Sequence, residues 1–259
     1  MKILEVKQAQ GEHFPSGTVR VDYASGLDDF RDWAMLVPGP RNDVWVIVIH
    51  GHGSSGDQLF TRQDVRENWL PDFMDNGLSI VTFNLRGNAW MSPAAANDLH
   101  EFLAWLRKEY GMEKTVFVSG SMGGTSNLIY AVLHPEDVNA VIAYGAPADI
   151  GEYYRWCLQG QLPVLSEIAE AIKSSYGENS MTREEVFKKH SVFLNAYKLT
   201  MPVYLAHGEL DIIMPVEQAR RLAVRLKDKK DFFYTEIPGG NHDSPIYDEK
   251  GFPLILSMI

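Results

Sequence analysis

The feature that most constrains this chain is an alternation of two kinds of segment. Short, almost continuously apolar runs lie at Val44–Ile49, Leu78–Phe83, Thr115–Val118, Ala140–Tyr144, Val203–Ala206 and Phe232–Ile237. Longer amphipathic stretches lie between them, at Gln58–Phe73, Ala94–Glu109, Met122–His134 and Val216–Leu226. A strand that is apolar at nearly every position, rather than every second one, is covered on both faces, as in a parallel sheet. Alternation of such strands with helices implies right-handed crossovers and a doubly wound arrangement. Three earlier runs, Ile3–Val6, Val19–Tyr23 and Trp33–Val37, read as antiparallel strands leading in. The expected fold class is α/β, a mostly parallel sheet of about eight strands with helices on both faces. No repeat, low-complexity tract or linker divides the chain, so one domain over residues 1–259 is expected.

One interval breaks the rhythm. Nearly sixty residues separate Tyr144 from Val203, about twice an ordinary crossover. They include Tyr153, Tyr154 and Trp156, then the helical stretches Leu162–Ile172 and Arg183–His190. We read 150–198 as a small helical cap inserted over the carboxyl edge of the sheet; the plainer reading is a helix pair on its flank.

Composition narrows the function. Thirty-four acidic residues against 24 basic ones give a net charge of −10, the wrong sign for a nucleic-acid surface. Cys157 is the single cysteine, which leaves no disulfide framework and no cysteine-based metal cluster. There is no run of 18 apolar residues, and the opening MKILEVKQAQ turns charged after three apolar positions, so neither a membrane span nor a signal peptide is expected. A reducing, cytoplasmic setting follows as the default, without a membrane partner; the oligomeric state is left open.

Ligand and catalytic sites of open α/β sheets gather where strands end at their carboxyl edge. Run 115–118 passes through Ser119-Gly120-Ser121-Met122-Gly123-Gly124 into a helix. A serine on so sharp a strand-to-helix turn presents its hydroxyl, and the glycines let strand and helix approach. The helix N-terminus behind Ser121 favours negative charge developing there. Run 203–206 ends in His207-Gly208-Glu209-Leu210-Asp211, and run 232–237 in Pro238-Gly239-Gly240-Asn241-His242-Asp243. The order Ser121, Asp211, His242, each on its own strand end, matches a nucleophile, an orienting acid and a base. Asp149, Glu209 and Asp243 are the alternative candidates for the acid. Run 44–49 ends in His50-Gly51-His52-Gly53, so the backbone N–H groups of His52 and Met122 are the expected oxyanion donors. His50 and His52 lack a carboxylate partner or an HExxH pattern, and no metal or cofactor is expected.

These residues resemble the α/β-hydrolase family across roughly residues 30–250. His50–Gly53 resembles its oxyanion loop, Ser119–Gly124 its nucleophile elbow, His207–Asp211 with Pro215 its acid turn, and Asn241-His242-Asp243 its histidine loop. His190-Ser191 through Tyr197, ahead of Met201-Pro202-Val203, is similar to the prolyl-oligopeptidase-like esterase branch. The chain departs from the family in three places. Ser119 replaces the first glycine of G-x-S-x-G; the family's D-x-R-G-x-G-x-S stretch reads Asn84 to Ser92 here; and only 17 residues follow His242. The resemblance implies a serine hydrolase cleaving carboxylic esters; no lipase-scale apolar lid is apparent, so small or soluble substrates are expected, and Trp90, Tyr153, Tyr154 and Trp156 as an acyl or aromatic pocket would suit acetyl or feruloyl esters of plant polysaccharide. The alternative within the branch is a serine peptidase acting on short peptides.

Two readings from other classes compete. Gly51–Gly56 fits the G-x-G-x-x-G of a nicotinamide dehydrogenase, although no acid stands at the end of the next strand to bind a ribose. A non-enzymatic binding protein would need a broken triad. For the pocket, Trp90, Tyr153 and Trp156 are the expected substrate-binding residues, against the alternative that these aromatics pack the cap. Phe60 and Arg62 are expected near its mouth.

Overall fold

A computed structural model describes residues 1–259. In chain order the elements begin with β1 (Lys2–Gln8), β2 (Val19–Ala24), β3 (Arg31–Val37), β4 (Arg41–Ile49), α1 (Gln58–Thr61), α2 (Gln63–Asp75) and β5 (Leu78–Phe83). They continue with α3 (Pro93–Tyr110), β6 (Lys114–Gly120), α4 (Ser121–Leu133), β7 (Ala140–Tyr144), α5 (Ile150–Cys157), α6 (Pro163–Tyr176) and α7 (Ser180–His190). The chain ends with β8 (Val203–Gly208), α8 (Val216–Arg225), β9 (Phe232–Ile237) and α9 (Gly251–Leu256).

The strands form one nine-stranded sheet in the order β1-β2-β3-β5-β4-β6-β7-β8-β9. β1, β2 and β3 enter antiparallel, and every pairing from β5 and β4 to β9 is parallel. The sheet has nine strands rather than about eight because all three lead-in runs join it. The continuous apolar runs have the expected cause. In β4, Trp45, Ile47 and Ile49 enter one apolar layer and Val44, Val46 and Val48 the other, so alternate side chains are buried on opposite faces. No helix is long and apolar enough to cross a membrane.

Gln58–Phe73, read as one helix, is two helices that meet at Arg62, where the backbone is extended (φ −83°, ψ 114°). The Arg62 guanidinium forks onto Asp64 at 2.7 Å and reaches Asp243 at 2.9 Å, which ties the break to the loop after β9. A bidentate Arg–carboxylate pair fixes orientation as well as adding energy.

The long interval holds α5, α6 and α7. Asp149 caps α5 by accepting from the Glu152 amide at 2.9 Å. The Tyr176 hydroxyl on α6 donates to the Trp90 carbonyl at 2.7 Å, and His190 Nδ1 on α7 lies 3.1 Å from the Met91 carbonyl. Both helices therefore grip the 84–92 loop, whose Leu85, Arg86, Trp90 and Met91 all have positive φ. Arg86 secures the same loop from the other side, paired with Asp98 at 2.6 Å and Asp28 at 2.7 Å.

His190 carries a pH consequence. Burial pushes its pKa down to about 4 from 6.5, so the folded state holds it neutral where the unfolded chain would protonate it. The associated stability is complete above pH 6.5 and is lost as pH falls towards 4, about 3 kcal/mol in all. Urea denaturation at pH 7, 5 and 4 should show this loss, and a His190→Gln variant should lose correspondingly less over the same window.

Candidate active site

Two close approaches, one between α4 and the end of β4 and one between the loops after β8 and β9, shape the site. A Cβ at Gly123 would lie 2.0 Å from the Ile49 carbonyl oxygen, so only glycine lets α4 start against the end of β4. A Cβ at Gly208 would lie 2.1 Å from the Asn241 carbonyl oxygen, so the acid turn and the histidine loop touch backbone to backbone. The Leu210 amide donates to the Gly240 carbonyl at 2.7 Å across this junction.

Ser121 sits between β6 and α4 with φ +58°, in the left-handed region that costs a non-glycine residue about 1–2 kcal/mol. Its Oγ lies 3.0 Å from His242 Nε2, and His242 Nδ1 lies 2.7 Å from Asp211 Oδ2. Asp211 Oδ1 accepts from the Ile213 and Met214 amides at 2.8 and 2.9 Å. Burial works against ionising Asp211, but the hydrogen bonds from His207 and His242 and the Met214 amide outweigh it and hold the carboxyl well below its usual range. An ionised Asp211 can only accept, so His242 Nδ1 carries the proton and Nε2 is free to accept from Ser121 Oγ–H. Ser121, His242 and Asp211 thus form one continuous hydrogen-bonded chain.

The other acids are engaged elsewhere. Asp149 caps α5 and also accepts from Ser191 Oγ at 2.5 Å. Glu209 accepts from the Gly239 amide at 2.8 Å, and Asp243 pairs with Arg62. His207 was not singled out by sequence. It is buried, its Nε2 donates to the Met214 carbonyl at 3.0 Å, and the same nitrogen lies 3.3 Å from Asp211 Oδ2. A histidine four residues before the acid, at the end of the same strand, was the available signal.

The loop after β4 is pinned on both sides of His52. The Gly51 amide donates to Gln58 Oε1 at 2.7 Å and the Gly53 amide to Asn88 Oδ1 at 2.8 Å. The His52 amide between them has no acceptor in the protein, and the Met122 amide lies in the first turn of α4, where N–H groups lack intrahelical partners. Trp90 Nε1 donates to His52 Nδ1 at 3.3 Å and steadies the ring. Gly56, which completed the dinucleotide-like pattern, has a packing reason: a Cβ there would lie 2.5 Å from the Asn84 amide.

Ser121, His52 and His242 open into a cavity of about 170 Å³. Leu59, Val65, Trp69, Tyr144 and Ile246 are part of its wall, as are Val164 and Ile168 of α6 with Ile213 and Met214. The expected pocket aromatics need correction, since Trp90, Tyr153 and Trp156 are not part of this wall. Trp90 and Tyr153 are 1% and 0% exposed, with ring centroids 5.4 Å apart, and Trp156 stacks behind Tyr153 at 5.9 Å. The Tyr153 hydroxyl donates to the Ile213 carbonyl, so this aromatic ladder braces the site from behind. Arg62 lines the cavity as expected; Phe60 is fully buried, edge-on to Phe14. Trp69 and Tyr144 lay inside expected elements, but nothing in their spacing marked which buried face opens to the serine.

The family described as alpha/beta hydrolase fold matches residues 44–158. No curated protein matches the sequence. Among solved structures, the chain is similar to the substrate-bound fluorophosphonate-binding serine hydrolase F of Staphylococcus aureus, with a TM-score of 0.68 at 12% identity, over 95% of this chain and 99% of that one.

The chain has the α/β-hydrolase fold.

An S-formylglutathione hydrolase of Staphylococcus aureus is similar as well, with a TM-score of 0.67 at 11% identity, over 93% of this chain and 98% of that one. A Pyrococcus furiosus esterase gives 0.65 at 15%, over 88% and 85%. In this α/β-hydrolase fold, Ser119 in place of the first elbow glycine has its own task, because its Oγ accepts from the Ile49 amide at 2.9 Å and so ties β6 to the end of β4.

Proposed function

We propose that the protein is a serine hydrolase that cleaves carboxylic esters of small acyl groups through an acyl-enzyme. The observation that carries this reading is the chain from Ser121 through His242 to Asp211, anchored at a strained serine facing an apolar cavity. His242 takes the Ser121 proton as Oγ attacks the ester carbonyl, and Asp211 steadies the imidazolium. The His52 and Met122 amides receive the oxyanion. The leaving alcohol takes its proton from His242, and water repeats the cycle on the acyl-enzyme.

Small acyl groups follow from size, since drug-sized ligands occupy clefts of roughly 300–1,000 Å³ and this cavity is about 170 Å³. Acetyl and feruloyl esters of plant polysaccharide were suggested by Trp90, Tyr153 and Trp156 lining the pocket, and that footing is gone. The ester reading is supported over the peptidase reading by coverage. The hydrolase and esterase structures above match along most of their length, whereas a Mycobacterium tuberculosis puromycin-hydrolyzing peptidase is matched over 37% of its own.

A fluorophosphonate probe should label the protein stoichiometrically at Ser121, read by intact mass and peptide mapping. Nitrophenyl esters of two to four carbons should be hydrolysed faster than longer esters and faster than the matching anilides. Labelling elsewhere, or none, overturns the serine-hydrolase reading; anilide preference overturns the ester reading.

A further inference from the structure

We propose that His100, His134, Glu136 and Asp137 form a binding site for one divalent transition-metal ion of the zinc class. One ligand atom from each of the four lies within 4.8 Å of all the others. Two imidazoles with two carboxylates are nitrogen and oxygen donors of the kinds zinc takes, and bond lengths of about 2.0–2.2 Å put tetrahedral ligand atoms about 3.3–3.6 Å apart. His134 Nδ1 and Glu136 Oε1 are already 3.3 Å apart. His100 Nδ1 and Asp137 Oδ2, at 2.7 Å, need to open by well under 1 Å.

The local sequence builds the cluster. α4 ends at Leu133, and His134 leaves helical geometry with φ −131°. Pro135 then starts a single tight turn over Pro135–Asp137 that folds both carboxylates back beside His134. α3 passes alongside and supplies His100, whose ring stacks on that of His134 with centroids 4.5 Å apart.

Asp137 is already oriented. Its carboxylate is 5% exposed, Arg107 holds Oδ1 at 2.9 Å, and the Tyr130 hydroxyl donates to Oδ2 at 2.5 Å. Outer contacts of this kind fix ligands at metal sites. His100 and Glu136 reach solvent and give an ion a way in. The C-terminal end of α4, which is partially negative, adds a favourable field for a cation. On binding, the Nδ1 lone pair of each ring bonds the metal; where Nδ1 carried the proton, that N–H bond breaks and an Nε2–H bond forms by exchange with solvent, and the net charge of each ring is unchanged.

Ser121 starts α4 and His134 follows its end, so the two centres are roughly 20 Å apart, at 1.5 Å per helical residue. This is a separate site. It was not foreseen because the expectation of no metal rested on His50 and His52, and no local spacing joins His100 to His134.

Tag-free protein stripped with a chelator and titrated with zinc by calorimetry should bind one equivalent. Cobalt should produce the intense visible bands of a tetrahedral centre. Saturating zinc, at 100 times its Kd, should raise Tm by roughly 5 °C. His100→Asn/His134→Asn should weaken binding by about 100-fold or more, whereas His242→Asn should keep the stoichiometry at one. The proposal is overturned if the wild-type protein shows no stoichiometric binding. Unchanged binding in the double variant, or loss confined to His242→Asn, overturns it equally. The half-exposed His100 alone, changed to Asn, keeps the test open if the double variant does not fold.

Discussion

Replacing Ser121 by alanine should lower kcat for a nitrophenyl ester by a factor on the order of 10⁴–10⁶. The serine Oγ, 3.0 Å from His242 Nε2, is the only atom of the cavity placed to attack a carbonyl while passing its proton to a base that Asp211 already orients. Removing that one oxygen leaves the cavity, the His52 and Met122 amides and substrate binding in place. KM should therefore change little beside the loss in kcat, and some hydrolysis above the uncatalysed rate should remain. Alanine meets the same left-handed backbone as serine, so circular dichroism and Tm should match the parent. Initial rates with active-site titration check the result, and turnover equal to the parent would remove Ser121 from the mechanism.

Asp211→Asn should reduce kcat by about 10⁴-fold, while Asp149→Asn should leave turnover near that of the parent. An amide at 211 can offer its NH₂ to His242 Nδ1, which makes that nitrogen the acceptor and moves the ring proton to Nε2, where it cannot take the proton of Ser121. Asp211 is placed to enforce the productive tautomer, with Oδ2 on His242 Nδ1 and Oδ1 on the Ile213 and Met214 amides. Asp149 instead spends both oxygens on the Glu152 amide and Ser191 Oγ. Its loss weakens the start of α5 and should appear in denaturation as about 1 kcal/mol of stability. If the two variants exchange these outcomes, the acid is Asp149. Steady-state rates for both, with urea titrations alongside, decide the matter.

Legibility in the sequence depended on the kind of evidence each residue left. β5, β7 and β9 fall on the same boundaries as the apolar runs, and β4, β6 and β8 extend theirs by two to three residues into polar or glycine positions; those of β6 and β8 are paired in the sheet, whereas the register of β4 is interrupted between Arg41 and Trp45. The break at Arg62 left no pattern in the periodicity, and its contact to Asp243 joins residues 181 positions apart.

What the chain alone determined was the α/β layering and the three strand ends carrying Ser121, Asp211 and His242. Both follow from local rules: a fully apolar run must be covered on two faces, and glycines mark where backbones cross closely. Only the tertiary structure decided which buried surfaces became cavity wall. Trp90 and Tyr153 stack into a ladder behind the site, while Trp69 and Tyr144 face the serine. It also decided that His100 would meet His134. Periodicity tells which side of an element is covered, but whether the covering is protein or an open cavity depends on how separate elements pack, and no single segment encodes that.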